Sequence, residues 1–165
     1  RSVVPDSVWT RLNDSQFVDT RPLEATRIGQ WKIAISLIVE KPYLGWGAAA
    51  FSVIYPLRTG LYHGHSHNLP LELAINHGII VSFLINIFVF SLLIASAYIG
   101  IFNKDNTSKN SLYERAWFSS ALILLCFHAT DIPLFDSRIN ILGWILLIGL
   151  RCIILKPKIR DVASI

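Results

Sequence analysis

Residues 63–68 read His-Gly-His-Ser-His-Asn, and a long uncharged apolar run begins at Ile79. An imidazole titrates near neutrality, so His67 could take a proton from a hydroxyl as a general base, or orient one. Two other uses fit the same residues. If 63–67 is extended, alternation puts His63, His65 and His67 on one face, and imidazoles are good zinc or copper ligands. Gly64 loosens such a strand, however, and no cysteine or second histidine cluster supports it. The third use is the bland one, interfacial histidines with no catalytic duty. The residues by themselves leave the base and the bland reading level. Arg27 is the other group with chemistry to offer, because a guanidinium fork matches phosphate oxygens in two parallel hydrogen bonds. It could equally pair with Glu24, three residues earlier on the same helix face. Arg58 is a second candidate for anion binding.

These groups need elements to hold them. Pro70 suits the first turn of a helix, Asn68 its cap, and Glu72 the positive end of the helix dipole. A short helix over about 70–77 then meets Gly78, where it bends or continues into the apolar run. His67 is thereby fixed just outside a helix N-terminus. Upstream, residues 1–22 read as loop. From about 24 to 40 the spacing of Ile28, Trp31, Ile35 and Ile38 predicts a helix with one apolar stripe, which stops before Pro42. Gly45 and Gly47 flank Trp46 in "PYLGWGAAAF", which reads as loop with a tryptophan at interfacial depth.

Of 165 residues, 53% are hydrophobic and 16% charged, against about 25% charged in a typical soluble domain. The run from Ile79 to Phe102 contains no charge and exceeds the roughly 20 residues needed to cross hydrocarbon. Two further apolar runs extend the pattern, giving expected membrane helices at about 79–102, 113–131 and 139–155. Lys104, Lys109, Arg115, Arg151, Lys156, Lys158 and Arg160 all fall on one side of these spans, whereas the 131–138 connection carries only Arg138 beside Asp131 and Asp136. The positive-inside rule puts the basic side in the cytoplasm, including the 156–165 tail. Residues 1–78 and 131–138 then lie outside. The net charge of +4 reads as this topology signal. No basic patch with stacking aromatics suggests nucleic acid. Cys126 and Cys152 fall in predicted spans with no framework spacing, so they read as small apolar side chains. The chain begins at Arg1 and contains no methionine, which suggests the C-terminal part of a longer polytopic protein. The expected fold is all-α: a polytopic membrane helix bundle with an outer-face helical loop.

The stretch "HSHNLPLELAINHGIIVSF" resembles the signature of the O-antigen ligase/polymerase-like membrane proteins, in which a His-Asn pair precedes a glycine at the start of a membrane helix. Here His67-Asn68 is followed by nine residues and then Gly78. The family often has a small or polar residue three positions further on; Val81 departs from that. Arg27, Trp31 and the Pro42, Gly45, Gly47 loop resemble its upstream motifs. "DIPLFDSRINILGWILLIGL" resembles its closing loop and last helix. The resemblance covers roughly residues 26 to 155. It implies a membrane glycosyltransferase-like fold, independent of metal and of other cofactors, in a bacterial inner membrane. The implied partners are a lipid-linked oligosaccharide donor on undecaprenyl diphosphate and a glycan or lipid A-core acceptor. On that reading His67 and Arg27 are catalytic, and Asn68, Arg58, Glu72 and His65 bind or orient substrate. His63, His77 and His128 gain no role from it.

Two rival classes remain at this point. The family has relatives described in inorganic-carbon uptake, so a bicarbonate or other anion transporter is one alternative. Charges clustered at the ends of the spans disfavour it, with His128 the exception. A non-catalytic scaffold of a glycan assembly complex is the other.

Overall fold

The computed structural model describes residues 22–99 and 109–163. Residues 1–21, the expected end of the first span at 100–102 and the following connection as far as residue 108 lie outside the described residues. Every element is helical: α1 (Arg27–Glu40), α2 (Ala50–Thr59), α3 (Leu69–His77), α4 (Ile79–Ala97), α5 (Lys109–Phe127) and α6 (Ser137–Ala163), with single 3-10 turns at Leu23–Ala25 and Pro133–Phe135. No strand occurs among the described residues.

The helix expected from residue 24 begins at Arg27, because Leu23–Ala25 forms its own turn and the Thr26 hydroxyl caps the next one by accepting the Gly29 N–H at 3.2 Å. Its buried face also differs from the predicted stripe. Gln30, Ala34, Leu37 and Ile38 are buried, whereas Ile28 and Ile35 are exposed. The helix is apolar on more than one side, so spacing alone did not decide which side meets protein. That decision falls to α2, which follows the 42–51 stretch read as loop, overlapping only its last two residues. Its Phe51 and Tyr55 stack with ring centroids 4.8 Å apart and bury against α1 and α3. Pro56 lies inside α2, a position that proline ordinarily disfavours.

The loop between α1 and α2 is a bracket. Trp46 and Gly47 donate their N–H groups to the Ile75 and Asn76 carbonyls at 2.7 and 3.1 Å, supplying partners for the C-terminal end of α3. Ile79, the first residue of α4, donates to the Pro42 carbonyl at 2.8 Å. Gly45 and Gly78 are the contact points. Both have positive φ, and a Cβ at Gly45 would sit 2.5 Å from the Ile75 oxygen, at Gly78 2.0 Å from the Tyr43 oxygen. Of the two expected outcomes at Gly78 the chain takes the bend, as a full break: α3 ends there and α4 restarts after it.

Beyond this joint, α4 and α5 both contact α6. Leu93, Ala121, Leu146, Leu150 and Ile153 form a second core. The Trp117 indole donates to the Leu146 carbonyl at 2.9 Å, passing close over Gly149. Ile79–Ala97 and Ser137–Leu155 are long and apolar enough to cross a membrane, and only 17% of each is buried. A helix at the centre of a soluble core would be mostly covered. The middle helix, expected to span 113–131, does not meet the same measure. Glu114 and Arg115 interrupt it, and it leaves helical geometry after Phe127. Cys126 and Cys152 are both exposed on the helix surfaces.

Candidate functional site

Asn68 builds the site's floor. Its backbone is extended, and its side-chain oxygen accepts the Leu71 N–H at 3.1 Å, so it is the N-cap of α3. Its amide nitrogen donates to the Ala129 carbonyl at 2.9 Å, and the Leu69 N–H donates to the His128 carbonyl at 2.8 Å. Both halves of the Asn68 amide are thus engaged with backbone, one locally and one across 61 residues. The segment after α5 is stitched onto the N-terminus of α3.

That stitching delivers Asp131 to the histidines. Asp131 Oδ1 lies 3.0 Å from His67 Nδ1 and 3.4 Å from His65 Nε2. The same oxygen accepts the Ile132 N–H at 2.8 Å. Burial pushes the Asp131 carboxyl up, but the Ile132 N–H and the His67 and His65 imidazoles outweigh it and hold the group below the usual carboxylate range. His67 itself has φ of 53°, a left-handed conformation that is uncommon outside glycine but enriched in histidine. This turn points the ring at Asp131 while leaving Asn68 free to cap.

The other side of the histidine loop is fixed by α1, α2 and α3. Trp31 donates its indole N–H to the Ser66 carbonyl at 3.0 Å. Glu72, expected to serve the helix dipole, is 3% exposed, and its Oε2 accepts the Ser66 N–H at 2.9 Å. Gln30 Nε2 lies 3.2 Å from both ring nitrogens of His63, whose ring also meets Tyr55 edge-on at 5.4 Å. Burial pushes the His63 imidazole down from its ordinary value, and His67 and His65 nearby add like-charge repulsion. The Tyr55 hydroxyl in turn donates to the Glu24 carbonyl.

The predicted site residues separate into two places. His65, His67, Asn68 and Glu72 converge. Arg27 is exposed at the first position of α1, one turn from Trp31 and hence at the histidine end of that helix. It makes no ion pair with Glu24 among the described residues. Arg58 is not brought to this loop. It makes a two-pronged pair with Glu40, both contacts at 2.7 Å, and so holds the C-terminal end of α1, roughly 15 Å of helix rise from Gln30. Those contacts, with Arg58, hold the Glu40 carboxyl below its usual range. Asp131 is the functional candidate that sequence reasoning missed. The usable signal was topological, since charge bias assigned 131–138 to the same membrane side as the histidines. His128 is also buried; its Nδ1 meets the Leu124 carbonyl at 2.6 Å, its Nε2 has no hydrogen-bond partner among the described residues, and the residue lines an apolar cavity of about 320 Å³ between α4, α5 and α6.

The joint of the Pro42–Gly47 loop with Gly78 brings the two motif groups of the N-terminal half into one unit, and that half carries a family match. Residues 6–86 match the family described as O-antigen ligase. This segment is similar to the O-antigen ligase family. The match includes Arg27, the histidine loop and α3, and ends within α4; Asp131 lies beyond it. The matched segment thus supplies the imidazole, and the connection after α5 supplies the carboxylate that faces it. At a coarse level the match supports glycan transfer of the ligase or polymerase type in polysaccharide biosynthesis, by a membrane protein handling lipid-linked donors and glycan acceptors. No curated protein and no solved structure matches the chain.

Proposed function

We propose that the chain transfers a glycan from an undecaprenyl-diphosphate-linked donor to a sugar hydroxyl at the outer face of a bacterial inner membrane. The observation that carries this reading is the 3.0 Å contact of His67 Nδ1 with Asp131 Oδ1. A carboxylate there holds the ring proton on Nδ1 and leaves the Nε2 lone pair free, the arrangement a general base needs. His67 Nε2 accepts the acceptor hydroxyl's proton as its oxygen attacks the anomeric carbon. The bond from that carbon to the diphosphate oxygen breaks, and the lipid diphosphate leaves with the electron pair. Arg27 stabilises that developing charge. Asn68 and Glu72 act by position: one anchors the loop to 128–131, the other to α3. The scheme uses the chain's own base and cation.

The two exposed apolar helices support a polytopic bundle, with the histidine loop and 131–138 on the periplasmic side and the C-terminus in the cytoplasm. The decisive experiment reconstitutes the full-length protein in liposomes with a lipid-diphosphate glycan donor. His67→Ala is expected to insert normally and lose transfer by about 100-fold or more. Full activity in that variant removes the assignment. Bicarbonate uptake by the same vesicles, in place of transfer, would establish the transport class instead.

A further inference from the structure

His65 Nε2, His67 Nδ1 and Asp131 Oδ1 lie within 4.8 Å of one another. Asp131 Oδ1 already accepts the Ile132 N–H, so two imidazole contacts and a backbone donor crowd onto one oxygen. A carboxylate oxygen offers two lone-pair sites. The three side-chain atoms are therefore not fully used by hydrogen bonding among themselves. The two spacings at Asp131 fit a different occupant, and the imidazole nitrogens lie within 4.8 Å of each other, so a small ring rotation brings them to the same spacing. Tetrahedral zinc, with bonds of about 2.0–2.2 Å to nitrogen and oxygen, sets neighbouring ligand atoms ~3.3 Å apart. The two contacts at Asp131 are 3.0 and 3.4 Å.

Access and selection also fit. The side chains of His65 and His67 are each 26% exposed and that of Asp131 is 52% exposed, so a cation can enter from solvent and keep water in the fourth position. His63 is not the missing ligand. Its ring centroid is 6.4 Å from that of His67, and Gln30 and Tyr55 hold it elsewhere. The set is thus two histidines and a carboxylate joined across the fold, in place of the three alternating histidines that the sequence offered.

We propose that His65, His67 and Asp131 form a three-ligand zinc site whose occupancy switches His67 off as a base. The second half rests on the functional reading above. A neutral imidazole carries one ring proton. With zinc on Nδ1, that proton resides on Nε2, which then donates where the reaction needs it to accept. Asp131 is drawn to the metal at the same time. The cation is an inhibitor competing with the reactive tautomer.

The test uses full-length protein in detergent, stripped with a chelator, with Cys126 and Cys152 replaced by serine because both thiols are exposed and would bind zinc themselves. Calorimetric titration with zinc is expected to show one saturable equivalent. His65→Ala and Asp131→Ala each weaken it at least about tenfold, while His63→Ala and His77→Ala stay within about twofold. Absence of stoichiometric binding, or binding indifferent to His65→Ala, overturns the site. If Asp131→Ala fails to fold, the cobalt absorption spectrum of the parent against His65→Ala decides the same question. Transfer is then measured against zinc, relative to each variant's own zinc-free rate. Half-inhibition at the binding midpoint in the parent, shifted about tenfold upward in His65→Ala, is the expected result. Full transfer by zinc-saturated protein overturns the switch. Zinc binding by a protein that transfers nothing when stripped leaves the site standing and defeats the functional reading instead.

Discussion

Replacing Asp131 in two ways separates its charge from its geometry. In Asp131→Asn the amide carbonyl oxygen stays on the Ile132 N–H, which sits 2.8 Å from the native Oδ1 and rejects the NH2 end. The His67 ring proton therefore stays on Nδ1 and only the charge is lost. Hydrogen bonds to charged groups contribute about 1.5–3 kcal/mol and neutral ones about 0.5–1.5. The difference is roughly 1–1.5 kcal/mol, and solvent screening of a side chain that is 52% exposed reduces it to about 1 kcal/mol, or about fivefold in rate. Asp131→Ala removes the acceptor altogether and releases the tautomer, for a loss of about 10- to 100-fold. The double variant His67→Ala/Asp131→Ala is expected to be no slower than His67→Ala alone, because Asp131 acts through the ring. Single-turnover transfer from a lipid-diphosphate donor in proteoliposomes reads all four rates. An Asp131→Ala protein at the parent rate, or a double variant slower by the product of the single losses, would refute the dyad.

Arg27→Lys keeps the charge but loses the fork, so transfer falls about tenfold or more while the melting temperature holds. Arg58→Ala leaves transfer within about twofold, because Arg58 is spent on Glu40 at the far end of α1; a larger loss in the same assay would return it to the substrate site. Glu72→Ala strands the buried Ser66 N–H and should destabilise the protein by about 1–3 kcal/mol, read as a lower denaturation midpoint in detergent. Gly149→Ala drives a methyl to within 1.9 Å of the Trp117 ring nitrogen and should cost about 1–3 kcal/mol by overpacking; an unchanged melting temperature would show that α5 is free to retreat from α6.

Local rules served well where the determinants were local. The Asn68 cap, the stop before Pro42 and the apolar run from Ile79 each depend on neighbours within a turn or two, and each is visible in the structure. They failed where a helix had several apolar faces or an internal breaker. Ile28 and Ile35 follow the helical period yet stay exposed, because the period says that a stripe exists and not which stripe meets protein. No helix was expected over α2, where the cost of an interior Pro56 is offset by burying Phe51 and Tyr55, a term that no window of sequence contains.

By itself the sequence determined the apolar runs long enough to cross a membrane, the Asn68 cap, the stop before Pro42 and the kinds of chemistry on offer, since composition, caps and titratable groups are properties of residues and their near neighbours. It even put His67 and Asp131 on one side, through charge bias. Only the tertiary structure decided that the carboxylate meets the imidazoles, that Arg58 goes to Glu40, and that Gly45 and Gly78 are points of backbone contact. Those outcomes depend on the relative placement of helices far apart in the chain, fixed by the Pro42–Gly47 bracket and the strap of Asn68 to Ala129, and such placement is set by packing that no local spacing encodes.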